Sequence, residues 1–186
     1  MPLSHPRPCT ADDYWSLPDD RRAELIDGVL YDMTPPGRVH QKISMALSHV
    51  LSAYVAKNGG TCEVYAAPFA VNVDKPGANW VEPDLVVVCD PAKLSDRGCE
   101  GAPDLVVEIV SPSSQRRDYI TKTALYERSG VREYWIVDPA AGHTMVYRFS
   151  SDSAVPVTYA MDDPVPVGIW EKGPGTPCSV RFSDYL

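Results

Sequence analysis

The pentapeptide PDLVV occurs twice, at 83–87 and at 103–107, and the stretch between, PAKLSDRGCEGAP, is broken by glycine and proline and carries no helical stripe. Two apolar runs joined without a crossover helix form antiparallel neighbours rather than a parallel pair. Strands are therefore expected from Asp84 to Cys89 and from Asp104 to Ser111.

Antiparallel pairing sets the start of the first run beside the end of the second. Asp84 then faces Glu108, with Cβ atoms about 4.5 to 5.5 Å apart. Asp104 is the wrong partner for Glu108, because four residues along one strand separate them by roughly 13 Å. A single metal ion needs its oxygen ligands at about 2.0 to 2.6 Å. Two adjacent carboxylates on an apolar sheet repel each other and are desolvated unless a cation lies between them or one keeps a proton. The plainer alternative is that both aspartates are solvated strand-entry residues and Glu108 points to water.

The rest of the chain supplies a frame for this pair. Thr10 caps a short helix that Pro18 ends. Strands from Arg22 to Ile26 and from Val29 to Met33 flank Asp27-Gly28, a strong hairpin signal. Val39, Ile43, Ala46, Leu47, Val50, Leu51, Tyr54 and Val55 recur at helical spacing, which predicts a long helix from Gly37 to Lys57. Thr61 to Asp74 reads as strand with a corner at Pro68, followed by a loop from Lys75 to Asn79. A second helix is expected from Ser114 to Ser129, stopped by Gly130, and then the strand pair EYWIVD and TMVYRF. After Ser150 the proline-rich chain predicts edge strands and a loose tail.

A length of 186 residues with 44% apolar content suits one domain over 1–186. There is no apolar run of membrane-spanning length and no apolar leader segment, so a soluble, cytoplasmic protein with no membrane partner is expected. The five cysteines include no C-x-x-C pair, and reduced thiols are the expectation. A formal charge of -8 excludes a broad basic face for coating nucleic acid, though not a local basic groove.

Pro83-Asp84, then Glu108-Ile109-Val110, then a helix carrying Lys122 resembles the PD-(D/E)XK nuclease superfamily. The stretches ELIDG, PPGRVHQ, EPDLVVV, GAPDLVVEIVSPSS and DYITKTALYERSGVREYWIVDP, in that order, make the chain similar to the bacterial Uma family of restriction-endonuclease-like proteins. The resemblance covers roughly residues 10 to 150. It implies a mixed α+β fold of the restriction-endonuclease-like type, a central mixed, largely antiparallel sheet flanked by helices.

It further implies Mg2+ or Mn2+ held by Asp84, Glu108 and the Ile109 carbonyl, a nucleic-acid substrate, DNA, and a homodimer. One departure is that the superfamily's usual lysine position is Val110 here, and Lys122 on the following helix corresponds to it. Lys122 and Glu24 join the acids as catalytic residues, while His40, Gln41, Arg116 and Tyr126 are assigned to substrate binding. Arg38, Lys42, Arg116 and Arg117 are the bases nearest the expected cleft. Each has a plainer alternative: an exposed Asp118–Lys122 helix pair, a solvated hairpin glutamate, a polar helix cap at His40. Tyr119, Lys122 and Tyr126 are expected to share a helix face, which lines a cleft or covers the sheet. A nuclease-like fold kept as a binding module without catalysis stays open. A carboxylate-pair glycosidase is disfavoured because no sugar-stacking aromatic platform is visible.

Overall fold

In a computed structural model of the chain, the structure describes residues 7–74, 77–149, 155–171 and 177–186. In chain order the elements are α1 (Ala11–Trp15), β1 (Ala23–Ile26), β2 (Val29–Asp32), α2 (Arg38–Asn58), β3 (Glu63–Ala66), β4 (Val71–Asn72), β5 (Trp80–Val81), β6 (Leu85–Val88), β7 (Leu94–Ser95), β8 (Gly98–Glu100) and β9 (Leu105–Ile109). A helix then opens with a π turn (Arg117–Lys122) and continues as α3 (Thr123–Ser129), followed by β10 (Glu133–Asp138), β11 (His143–Arg148), β12 (Val157–Ala160), β13 (Val165–Pro166) and β14 (Ser179–Val180).

The central sheet runs β12-β11-β10-β9-β6-β3 and is antiparallel except for the parallel pair β9 and β10. The π turn and α3 form the crossover that a parallel pair requires. On β9 the side chains alternate, so that Leu105, Val107 and Ile109 join the cluster containing Ile43, Leu47 and Leu51 of α2. Val106, on the opposite face, packs with Leu125 and Tyr126 of α3. The two helices therefore cover opposite faces of one sheet, and the mixed, largely antiparallel architecture expected from the sequence is present.

The sequence predicts a central sheet without assigning each strand to it. The structure adds a second six-stranded sheet, β2-β1-β5-β4-β8-β7, and pairs β13 with β14 separately. Several of these strands have only two residues, too short to leave an alternation pattern. The hairpin turn does fall at Asp27 and Gly28, both with positive φ (48° and 77°). The loose tail is a correction among the described residues: Val165, Val167, Val180 and Phe182 are buried in the α2-side core, and Phe182 packs edge-on to Trp135. The expected Lys75–Asn79 loop lies partly outside the described residues, as does the chain just after Phe149.

The reduced-thiol expectation also changes. Glu63 pairs with Val88 across β3 and β6, so the next residues out, Cys62 and Cys89, stand opposite each other and form a disulfide. Their separation of 27 residues gave no linear sign of this, because strand register alone brings them together. Among the described residues no helix is long and apolar enough to cross a membrane.

Candidate active site

Leu85 pairs with Val107 and Val86 with Val106 across β6 and β9. Continuing that register by one residue sets Asp84 opposite Glu108. Both carry the parity of Val86 and Val106, so both side chains leave the sheet on the α3 face. The Asp84 carboxylate accepts the Ile109 N–H at 2.7 Å through Oδ2, and the same oxygen lies 3.1 Å from His40 Nε2. Asp104, by contrast, accepts from the Cys89 N–H and pairs with Arg132 at the far end of the strands.

The third side of the site comes from the π turn. In an α-helix, residues four apart drift by about 40° around the axis, so Asp118 and Tyr126 would diverge by about 80°. The wider turn takes up part of that drift, and Asp118, Lys122 and Tyr126 gather beside Glu108. Lys122 Nζ is 2.8 Å from Glu108 Oε1, 2.8 Å from Glu24 Oε1 and 3.7 Å from Asp118 Oδ1. The Tyr126 hydroxyl donates to the same Glu108 oxygen at 2.7 Å. The Asp118 carbonyl, at the wide turn, accepts the Tyr134 hydroxyl at 3.0 Å and the Thr123 hydroxyl at 3.1 Å. Tyr119 departs from the expected face and turns to Asp138 and His143 instead.

Asp118 and Lys122 are 1% and 3% exposed, so the surface-pair alternative does not describe them. Glu24 is 1% exposed, which likewise sets aside the solvated-hairpin alternative. Its Oε1 also accepts the Glu82 N–H, tying the hairpin to the chain just before Asp84. Glu82 itself takes Arg22 at 2.5 Å and the Tyr14 hydroxyl at 3.3 Å.

These groups border an open cleft of about 520 Å³ whose lining includes Glu24, Glu82, Asp84, Glu108, Asp118 and Lys122, with Gly37, His40 and Gln41 from the start of α2. Of the residues assigned from sequence to substrate binding, His40 and Gln41 are on the wall. Tyr126 is fully buried beneath Glu108, and Arg116 is exposed outside the lining, where its neighbour Arg117 takes the place. Sequence reasoning does not single out Asp118, and it names Arg117 only among the bases nearest the cleft, beside Arg38, Lys42 and Arg116. The four-residue spacing of Asp118, Lys122 and Tyr126 was the available signal, and the π turn that makes it a common face leaves no simple mark in the letters.

The electrostatics are those of a site short of positive charge. Burial raises the Glu108 pKa well above the carboxylate range; Lys122 opposes this, while Asp118, Asp84 and Glu24 add to it. Burial likewise raises Asp118. For Lys122 burial acts to lower the pKa, but Glu108, Glu24 and Asp118 outweigh it and hold the ammonium charged. Because the two raised acids have higher pKa values folded than unfolded, their protonated forms favour the fold. That stability is complete below the ordinary carboxylate values of about 3.9 to 4.3 and is lost as pH rises through the shifted ones. The melting temperature without divalent ions is expected to fall from pH 5 to pH 8, and Glu108→Gln is expected to flatten the slope; scanning calorimetry across that interval checks it.

The donor set fits a hard divalent cation. Asp84 Oδ1 and Glu108 Oε2 have no hydrogen-bond partner among the described residues, while the second oxygen of each is anchored by the protein. No cluster of three or more His, Cys, Asp or Glu side chains is poised as a ready-made ligand set among the described residues. Two carboxylates plus a backbone carbonyl, with water for the remainder, is the sparse protein ligation that Mg2+ accepts.

The mixed sheet thus carries two opposed acids on one face, with a lysine delivered to them from the crossover helix. The family described as "Putative restriction endonuclease", Uma2, matches residues 11–169, and the chain belongs to that family. A crystal structure of a protein from Anabaena variabilis, described as a putative nuclease belonging to DUF820, superposes with a TM-score of 0.75 at 21% identity, covering 96% of this chain and 100% of that one. An uncharacterized protein of Synechocystis, slr1290, is 27% identical over 139 residues, 74% of this chain and 72% of its own.

Proposed function

We propose that the protein is a metal-dependent endonuclease that hydrolyses phosphodiester bonds in DNA. The observation that carries this reading is the register of β6 and β9, which opposes Asp84 and Glu108 on one face with the Lys122 ammonium against Glu108. Asp84, Glu108 and the Ile109 carbonyl are the residues that would hold Mg2+ or Mn2+. When bound, such an ion polarises the phosphate and acidifies water.

The chain's own residues do the rest. Ile109 N–H and His40 fix one oxygen of Asp84, and Tyr126 fixes one oxygen of Glu108, leaving the other oxygens to face the ligand. Lys122 carries a permanent positive charge to the point where negative charge develops on the phosphate oxygens. Glu24 holds that ammonium from the hairpin side. The test is nicking of supercoiled DNA with Mg2+ or Mn2+. Wild type is expected to cut and Glu108→Gln to lose activity by about a thousandfold, the loss of several kcal/mol of charge stabilisation. No cutting by wild type with any divalent ion, on DNA or RNA, would contradict the reading.

A further inference from the structure

Nucleic acid brings one negative charge per phosphate, yet the carboxylates lining the cleft outnumber its cations. Three arginine and lysine side chains line it: Arg22, Arg117 and Lys122. Arg22 is held by Glu82, and Lys122 by Glu24 and Glu108. Arg117 is paired with no carboxylate among the described residues.

Arg117 is nonetheless held in place. Its guanidinium carbon lies 5.1 Å from the centroid of the Tyr31 ring, within the range of cation–π attraction. Its Nε is buried without a hydrogen-bond partner. Tyr31 belongs to β2, and Met33 and Thr34 just beyond it line the cleft, so the arginine sits where the hairpin meets the Ser111–Ser114 turn. A planar fork of donors, oriented by an aromatic face and lacking an anionic partner, is built for bidentate contact with a phosphate. The other bases near the site are less suited. Arg38 and Arg116 are exposed and outside the lining, and Lys42 donates to the Leu186 carbonyl at 2.9 Å.

We infer that Arg117, set on Tyr31, is the substrate-binding residue that takes a DNA phosphate beside the one being cleaved. This rests on the nuclease reading above. One such contact contributes about 0.9 to the slope of log affinity against log salt on duplex DNA. The neighbouring acids make Arg117 the dominant electrostatic contact inside the cleft.

The experiment is fluorescence anisotropy of a labelled short DNA duplex with Mg2+ present, across a range of KCl concentrations, in the Glu108→Gln background to prevent turnover. Adding Arg117→Met is expected to weaken binding by about tenfold and reduce the salt slope by about one. Arg117→Lys should keep the slope and lose part of the affinity, because the charge stays while the fork is lost. Arg116→Met should change affinity less than about twofold, as a solvated charge outside the cleft. Equal losses for Arg116→Met and Arg117→Met, or an unchanged slope in Arg117→Met, would overturn the assignment and leave the nuclease reading standing. Failure of both the wild-type and Glu108→Gln proteins to bind DNA at all would overturn both.

Discussion

Replacing Lys122 with Met is expected to abolish detectable DNA cleavage while Mn2+ binds about tenfold more tightly than to wild type. The two effects run in opposite directions because Lys122 has two electrostatic relations. Its ammonium lies 2.8 Å from Glu108 Oε1, so it neutralises a carboxylate that would otherwise be wholly available to a cation. Removing it raises the negative charge around Glu24, Asp84, Glu108 and Asp118, and a tenfold gain corresponds to about 1.4 kcal/mol. The same change removes the one positive charge aimed at the developing phosphoryl charge, so turnover is lost.

Without divalent ions the variant should also be less stable by about 3 to 5 kcal/mol at neutral pH, since buried acids lose their counter-charge. Added Mn2+ should recover part of that loss. Isothermal calorimetry, thermal melts and a cleavage assay on one preparation separate these outcomes. Weaker Mn2+ binding would show that the lysine supports the ligand set rather than competing with it.

Asp84→Asn is expected to act on binding first. The substitution keeps the shape and removes the charge, and the amide oxygen cannot serve both the Ile109 N–H and a cation with a carboxylate's strength. Calorimetric Mn2+ affinity should fall by at least about a hundredfold, more than the 10 to 100-fold scale of losing a supporting contact, because a direct ligand is removed. Cleavage should fall with it and recover in part at high Mn2+ concentration. The matched control is Asp104→Asn, four residues before Glu108 on the same strand run and bonded to Cys89 and Arg132 instead. It should leave metal affinity unchanged while lowering stability. Equal metal losses in both variants would mean that the register does not define the site.

Much of this arrangement was legible because strand physics is local. The repeated PDLVV and its broken connection were enough to orient β6 and β9, and orientation alone paired Asp84 with Glu108 and excluded Asp104. The α2 stripe was likewise readable, since Ile43, Leu47 and Leu51 recur at helical spacing and all end fully buried. The burial of Asp118 was not readable. An acid four residues before a lysine reads as an ordinary exposed helix pair, whereas here the pair lies on a π turn whose Asp118 carbonyl accepts the Tyr134 and Thr123 hydroxyls. Arg116 and Arg117 are indistinguishable as letters, and the contact of Arg117 with the Tyr31 ring separates them. The Cys62–Cys89 bond and the division into two sheets depend on register between distant segments, to which composition and periodicity are blind.

The most direct measurement is anomalous X-ray scattering from a crystal of the protein soaked in Mn2+. One strong peak is expected in the cleft, with an oxygen of Asp84 and an oxygen of Glu108 both within about 2.0 to 2.6 Å of it. A cleft without a peak, or a peak bound to only one of these two acids, would contradict that expectation.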